Sequence, residues 1–273
     1  MTDLGTSPLG HATVYADRYD PGLLFAVERA PLREGLGFGA TLPFRGADLW
    51  TAYEVSWLDA AGKPQIAVAT FVVPAASPRI VESKSVKLYL TALNLSKFAS
   101  ATDIAATLAR DLAAATGATV DARLASPEAF AASGRQELAG ECLDALPLHV
   151  DAYVPDPDAL ATGSAIETRT WMTRLFRSVC PVTGQPDYAC VQIRYRGKTI
   201  DPAGLLRYLV SFRRHPGFHE HCVERIFADI RERCAPQVLS VYARFARRGG
   251  VDINPFRTSG EDPVPANTPT AQQ

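Results

Sequence analysis

The stretch DLWTAYEVSWLDAAGKPQIAVATFVVP, Asp48 to Pro74, carries apolar side chains on alternate positions at Leu49, Tyr53, Val55 and Trp57, and again at Ile66, Val68 and Val72. Alternation with a period of two marks strands with one buried face. The intervening DAAGKP has the small, polar, glycine and proline chemistry of a tight connection, so the stretch reads as a β-hairpin. Outward from it, PRIVESKSVKLYLTALNLSKF predicts a short extended piece running into a helix. TDIAATLARDLAAATG follows as a second helix, with Thr102 as N-cap, Ile104, Leu108 and Leu112 on one stripe, and Gly117 as its stop. ATVDARL then reads as another strand.

The plan repeats in the second half. AIETRTWMTRLFRS and YACVQIRYRGK flank the turn CPVTGQPD, and Asp201 with Pro202 starts the helix PAGLLRYLVSFRR. HEHCVERIFADIRERC places Val223, Ile226, Phe227, Ile230 and Cys234 at helical spacing, and QVLSVYARFARRGG closes the unit as a strand. Two tandem units of hairpin, helix, helix and strand predict an α+β protein with antiparallel sheets and helices packed on one face. The expected organisation is an N-terminal tail (1–18), a first module (19–135), a connector (136–164), a second module (165–257) and a disordered, proline-rich tail (258–273).

At 273 residues, 47% hydrophobic and 21% charged, the chain has the balance of a soluble globular protein of one large or two ordinary domains. A net charge of −1 gives no global reason to expect nucleic acid or an anionic membrane as partner, so phosphate binding has to be local. The start, MTDLGTSPLG, shows neither a basic nor an apolar leader region, and no apolar run approaches the roughly 20 residues of a membrane span. Cytoplasmic residence is the expectation. The five cysteines are odd in number and form no C-x-x-C pair, which reads as reduced thiols and no metal site.

Cys180 ends a strand and opens a stiff turn, where a side chain is presented, whereas Cys142, Cys190 and Cys234 read as small buried hydrophobes. Asp187 is common turn chemistry, and equally a proton donor to a developing nitrogen anion. In GFHEHCVE, His219 and Glu220 are adjacent at a helix start and cannot form an i, i+4 metal pair. Glu220 either favours the helix dipole or offers two acceptors to the N–H groups of a purine-like base. Glu82, Lys84 and Lys87 in VESKSVKLYL form either a solvated face or a phosphate-holding helix start. ARRGGVDINP adds Arg247 and Arg248 beside Gly249 and Gly250, glycines that let backbone approach a ligand closely. GLGFGA, Gly35 to Ala40, lacks the G-x-G-x-x-G spacing and supports no Rossmann nucleotide site.

Taken together and in this order, ESKSVKLYL, CPVTGQPD, FHEHCVERIF, SVYARFARRGG and DINPFR resemble the NADPH-dependent 7-cyano-7-deazaguanine reductases, the nitrile reductases of queuosine biosynthesis. ESKSVKLYL lies about a hundred residues before Cys180, which is similar to the long, two-module form of that family, and the resemblance runs from Tyr19 to Arg257. It implies tandem tunnelling-fold (T-fold) modules, reduction of the nitrile through a covalent thioimide on Cys180, and Asp187 as proton donor. It further implies that Val81, Glu82, Ser83, His219 and Glu220 contact the substrate, that Ser83, Lys84, Arg248 and Gly249 hold NADPH, and that the chain forms a homodimer. A thiol-dependent hydrolase of nitriles or amidines and a non-catalytic purine or pterin binder stand as the alternatives.

Overall fold

A computed structural model of the chain describes residues 15–39 and 41–273, so most of the expected N-terminal tail, and Ala40, lie outside the described residues. The chain divides into two compact units, each discontinuous in sequence.

The first unit takes the chain up to Leu32, Asp48–Gly134 and Arg247–Ile253. Its strands and helices are β1 (Ala26–Glu28), α1 (Arg29–Arg33, whose last residue belongs to the second unit), β2 (Arg45–Leu58, whose first three residues belong to the second unit), β3 (Pro64–Pro74), β4 (Arg79–Val81), α2 (Ser83–Ala92), α3 (Ala101–Thr116), β5 (Asp121–Ala125) and α4 (Pro127–Ala131). β2 and β3 are neighbours in one sheet, and β5 runs antiparallel to β3 with Val68 opposite Ala125. The hairpin closes over Asp59–Lys63, where the Asp59 N–H donates to the Lys63 carbonyl (3.0 Å) and the Gly62 N–H to the Asp59 carbonyl (3.0 Å). Ile104, Leu108 and Leu112 of α3 are buried against Trp50, Phe71, Val86 and Tyr89. Full burial of each such aliphatic side chain contributes about 1.5–3 kcal/mol.

Three expectations are corrected in this unit. α3 is capped by Ser100, not Thr102: the Ser100 hydroxyl accepts the Asp103 N–H (3.2 Å), and the helix stops at Gly117 in the left-handed conformation as expected. In β3 the core face is Ala67, Ala69, Phe71 and Val73, whereas Ile66 is 57% exposed. Small alanines under the packed helices and a buried Val68 on the other face blurred the alternation. Lastly, Arg247–Ile253 belongs to this unit because the Tyr53 N–H donates to the Gly250 carbonyl (2.9 Å) and the Tyr53 hydroxyl to Asp252 (2.5 Å).

The second unit takes Arg33–Ala47, Arg135–Ala246 and Asn254–Gln273. Its elements are β6 (Glu141–Cys142), β7 (Thr162–Val179), β8 (Pro186–Ile200), α5 (Pro202–Ser211), α6 (His219–Cys234), β9 (Val238–Phe245) and the later part of β10 (Val251–Thr258). β7, β8, β9 and β10 pair antiparallel, while the two-residue β6 adds a parallel edge that the weak pattern of 136–164 did not announce. Arg33 belongs here rather than to the first module because Glu224 takes its guanidinium at 2.8 Å and that of the buried Arg257 at 2.8 Å. Loss of the shared carboxylate would strand buried cations, a loss of about 3–5 kcal/mol.

The residues after Thr258, expected to be disordered, are packed. Thr270 is buried, the Pro269 carbonyl accepts the Gln136 N–H (2.8 Å), and Gln273 bonds to Arg244, Phe245 and Asn254. Their polar composition finds partners on buried polar groups of the unit instead of in water.

Both units use the same internal devices. In each, a helix tyrosine donates to an aspartate on the next helix: Tyr89 to Asp111 at 2.7 Å and Tyr208 to Asp229 at 2.7 Å. In each, the end of the first hairpin strand is pinned to the segment before the second helix. Leu58 exchanges backbone bonds with Ser96 and Phe98 (both 2.9 Å), as Val179 does with His215 (3.0 Å) and Gly217 (3.1 Å).

Candidate active site

The chemistry-bearing residues fall into two groups, one in each unit. In the second unit, Cys180 is the first residue beyond the last β7–β8 pair, Val179 with Pro186, and is 8% exposed. Its turn is locked because the Cys180 N–H donates to the Gln185 carbonyl (2.9 Å) and the Gly184 N–H to the Cys180 carbonyl (3.0 Å). Gly184 has φ +67, a left-handed conformation that glycine takes without strain. Asp187 stands opposite Ser178, and alternation puts Cys180, Ser178, Asp187 and Ala189 on one face of the sheet. Phe245 of β9 lies opposite Ala189 on that same face.

The start of α6 covers this face. His219 lays its ring on that of Phe245, with centroids 3.7 Å apart and planes at 4°, and its Nε2 is 3.6 Å from Asp187 Oδ2. Glu220 is buried in the first turn of the same helix, which has Phe218 as an N-cap that makes no side-chain bond. The pinning of Val179 to the 215–217 segment carries Cys180 and the helix start as one block. The second unit therefore brings Cys180, Asp187 and His219 onto one wall, with Glu220 buried next to His219 in the first turn of α6.

The other thiols are set apart from that role. Burial pushes Cys222 up to about 12, helped by the nearby Asp187 and Glu220 carboxylates, and pushes Cys190 and Cys234 up to about 11. Such groups stay protonated and are poor nucleophiles at neutral pH. Burial, with the neighbouring His221 and Arg225, pushes His215 down to about 4, so that ring is neutral at pH 7.

The first unit has the same backbone device without the reactive pair. Asp59 occupies the place of Cys180 and Gln65 that of Asp187, as the matched pinning of Leu58 and Val179 fixes. Asp59 Oδ1 accepts the N–H groups of Ala61 and Lys63 (both 2.9 Å) and its Oδ2 accepts Gln65 Nε2 (3.0 Å), so the pair is closed on itself.

What the first unit offers is a helix start. β4 leads directly into α2, with Val81 buried at the junction. Glu82 is the N-cap: its carboxylate accepts the Lys84 N–H (2.6 Å) and the Ser85 N–H (2.8 Å), and the Ser83 hydroxyl donates to it at 3.4 Å. Arg248 closes a tight turn with Val251 through an N–H to carbonyl bond of 2.9 Å. Gly249 has φ +58, and a Cβ there would lie 3.2 Å from Lys87 Cδ. Lys87, Gly249, Gly250, Ser56, Thr91, Asn94 and Glu54 line a cleft of about 420 Å³. The Lys87 ammonium, glycine backbone, and hydroxyl and amide side chains offer donors for a phosphate, beside the Glu54 carboxylate; of the expected cofactor residues Gly249 lines this cleft and Ser83, Lys84 and Arg248 do not. Phe245 escaped the sequence reading as a site residue: it was one apolar position of SVYARF with nothing to announce its stacking. Lys87, one of the two readings of which was a phosphate-holding helix start, lies against Gly249 in the cleft.

Fold and site together define a tandem α+β protein with a strand-end thiol beside a buried carboxylate and an imidazole. Comparison with known proteins makes this specific. A family model described as nitrile reductase, 7-cyano-7-deazaguanine-reductase N-term, matches residues 15–124, and one described as QueF-like protein matches residues 186–263. The NADPH-dependent 7-cyano-7-deazaguanine reductase of Burkholderia ambifaria is 57% identical over 269 residues, 98% of each chain. The protein of the same name from Bordetella parapertussis is 54% identical over 272 residues, 99% of each chain. A solved archaeosine synthase QueF-Like in the apo form aligns over 37% of this chain and 99% of that one, at TM-score 0.32 and 17% identity, too slight a likeness to bear on the argument. The chain belongs to the 7-cyano-7-deazaguanine reductase family.

Proposed function

We propose that this chain reduces the nitrile of 7-cyano-7-deazaguanine to the aminomethyl group, with NADPH as reductant, through a thioimide on Cys180. The observation that carries this reading is the shared sheet face on which Cys180 follows the end of β7 and Asp187 stands at the second position of β8, under His219. A nitrile is a weak electrophile. Addition of the Cys180 thiolate to its carbon forms a C–S bond while Asp187 gives a proton to the nitrogen, which leaves a C=N group that accepts hydride readily. Two NADPH molecules, bound one after the other, would each supply one hydride. Between them the C–S bond breaks, Cys180 departs as thiolate, and the carbon is left as an imine. Glu220 accepts ring N–H donors, with His219 beside it, and Val81, Glu82 and Ser83 are the first unit's substrate contacts: a carboxylate engaged by two N–H groups keeps further acceptor sites. Ser83, Lys84, Arg248 and Gly249 hold the cofactor, together with Lys87, which lies against Gly249.

Two-module chains of this kind are proposed to act as homodimers in the cytoplasm on a small-molecule substrate, without nucleic acid. Among the described residues no helix is long and apolar enough to cross a membrane. A cofactor oxidation assay tests the reading: the nitrile should trigger consumption of two NADPH per molecule, with NADH a poor substitute. Ammonia release without NADPH loss would indicate the hydrolase alternative. Gly249→Val should raise the KM for NADPH about tenfold, because a β-branched residue is strained at φ +58 and meets Lys87. Adduct formation with the nitrile alone should be unchanged, and an unaltered KM would remove Gly249 from the cofactor site.

A further inference from the structure

The wall that carries His219 is held from behind by a side chain far away in sequence. Phe245, on which the imidazole stacks, lies past the last β9–β10 pair, Tyr242 with Phe256, so its outward backbone groups are not in that ladder. Two amide side chains take the ladder's place. Asn254 Oδ1 accepts the Phe245 N–H (3.0 Å), and Gln273 Nε2 donates to the Phe245 carbonyl (3.0 Å). Gln273 Nε2 also donates to Asn254 Oδ1 (2.9 Å), while its Oε1 accepts Arg244 Nε (2.9 Å) and the Thr270 N–H (3.1 Å). Arg244, Phe245 and Asn254 are all buried, so bonds lost here are not replaced by water. Edge-on packing of Phe176, centroids 6.0 Å away, limits Phe245 from another side.

We infer that Gln273 is a positioning residue for the reaction: it clamps the backbone of Phe245 and thereby sets the plane of the His219 ring beside Asp187. This rests on the proposed thiol chemistry of the second unit. The imidazole has little else to orient it, since its buried Nδ1 has no hydrogen-bond partner among the described residues and its Nε2 is 3.6 Å from the carboxylate. Stacking on Phe245 is therefore the dominant constraint, and a shift of that ring moves the imidazole with it.

The test measures the rate of covalent adduct formation with 7-cyano-7-deazaguanine, without NADPH and followed for hours so that slow variants are read. The proteins are the wild-type chain, Gln273→Ala, Gln273→Glu, His219→Ala and the His219→Ala/Gln273→Ala pair. Gln273→Ala should slow the adduct about tenfold. Gln273→Glu keeps the acceptor for Arg244 and Thr270, so it should fold even if the alanine variant does not. It cannot donate to Phe245, and should be slowed comparably. In the His219→Ala background the Gln273 change should be nearly silent, because its effect passes through that ring. Equal losses in both backgrounds, or a wild-type rate in Gln273→Glu, would overturn the inference alone. No adduct in the wild-type chain would overturn the thiol reading, and this inference with it.

Discussion

Cys180→Ala will fold and bind the nitrile yet consume no NADPH above background, a fall of about 10⁴-fold or more. The substitution removes a single sulfur at a strand end and leaves the turn bonds between Cys180 and Gln185 and between Gly184 and Cys180 to the backbone. No other thiol can stand in. Cys190, Cys222 and Cys234 are buried with pKa values pushed to about 11, 12 and 11, and Cys142, expected to be buried, sits exposed on the two-residue β6 edge instead. Steady-state NADPH oxidation together with a substrate-binding measurement checks this. Turnover within tenfold of the wild-type rate would refute the covalent route.

Asp187→Asn should lower turnover about 10²–10⁴-fold, the usual range for removing a general acid. Asparagine keeps the shape and the place opposite Ser178 but has no acidic proton to give to the nitrile nitrogen. The loss should fall on the rate of adduct formation, a step that precedes hydride transfer, and so should be seen with the nitrile alone. A variant that forms adduct at the wild-type rate would show that the proton comes from elsewhere.

What could be read from the sequence was what depends on near neighbours. The DAAGKP turn, the Asp201–Pro202 helix start and the stripe of α6 are set by residues within a few positions of one another, and the structure has them where expected. Cys180 and Asp187 were legible for the same reason, because a short stiff turn keeps both ends close. Features made by distant pairing were not. Arg33 joins the second unit through Glu224, and Arg247–Ile253 returns to the first through Tyr53, contacts across about two hundred positions that local pattern does not encode. Ile66 was assigned to the core because a lone isoleucine weighs more than two alanines in any local reading, yet the alanines lie under the helices. The polar stretch after Thr258 looked solvated, since nothing in it discloses that buried Arg244 and Asn254 await its amides. Glu82 read as a substrate contact and is found spent in part on capping α2.

The central claim is that the sulfur of Cys180 bonds to the nitrile carbon before any hydride arrives. Its most direct test is intact-mass and peptide mass spectrometry of the protein mixed with 7-cyano-7-deazaguanine in the absence of NADPH. The expected result is a gain equal to the whole mass of the nitrile, one per chain, on the peptide containing Cys180, and its disappearance once NADPH is added. An unmodified Cys180 in protein that goes on to reduce the nitrile at full rate would contradict it.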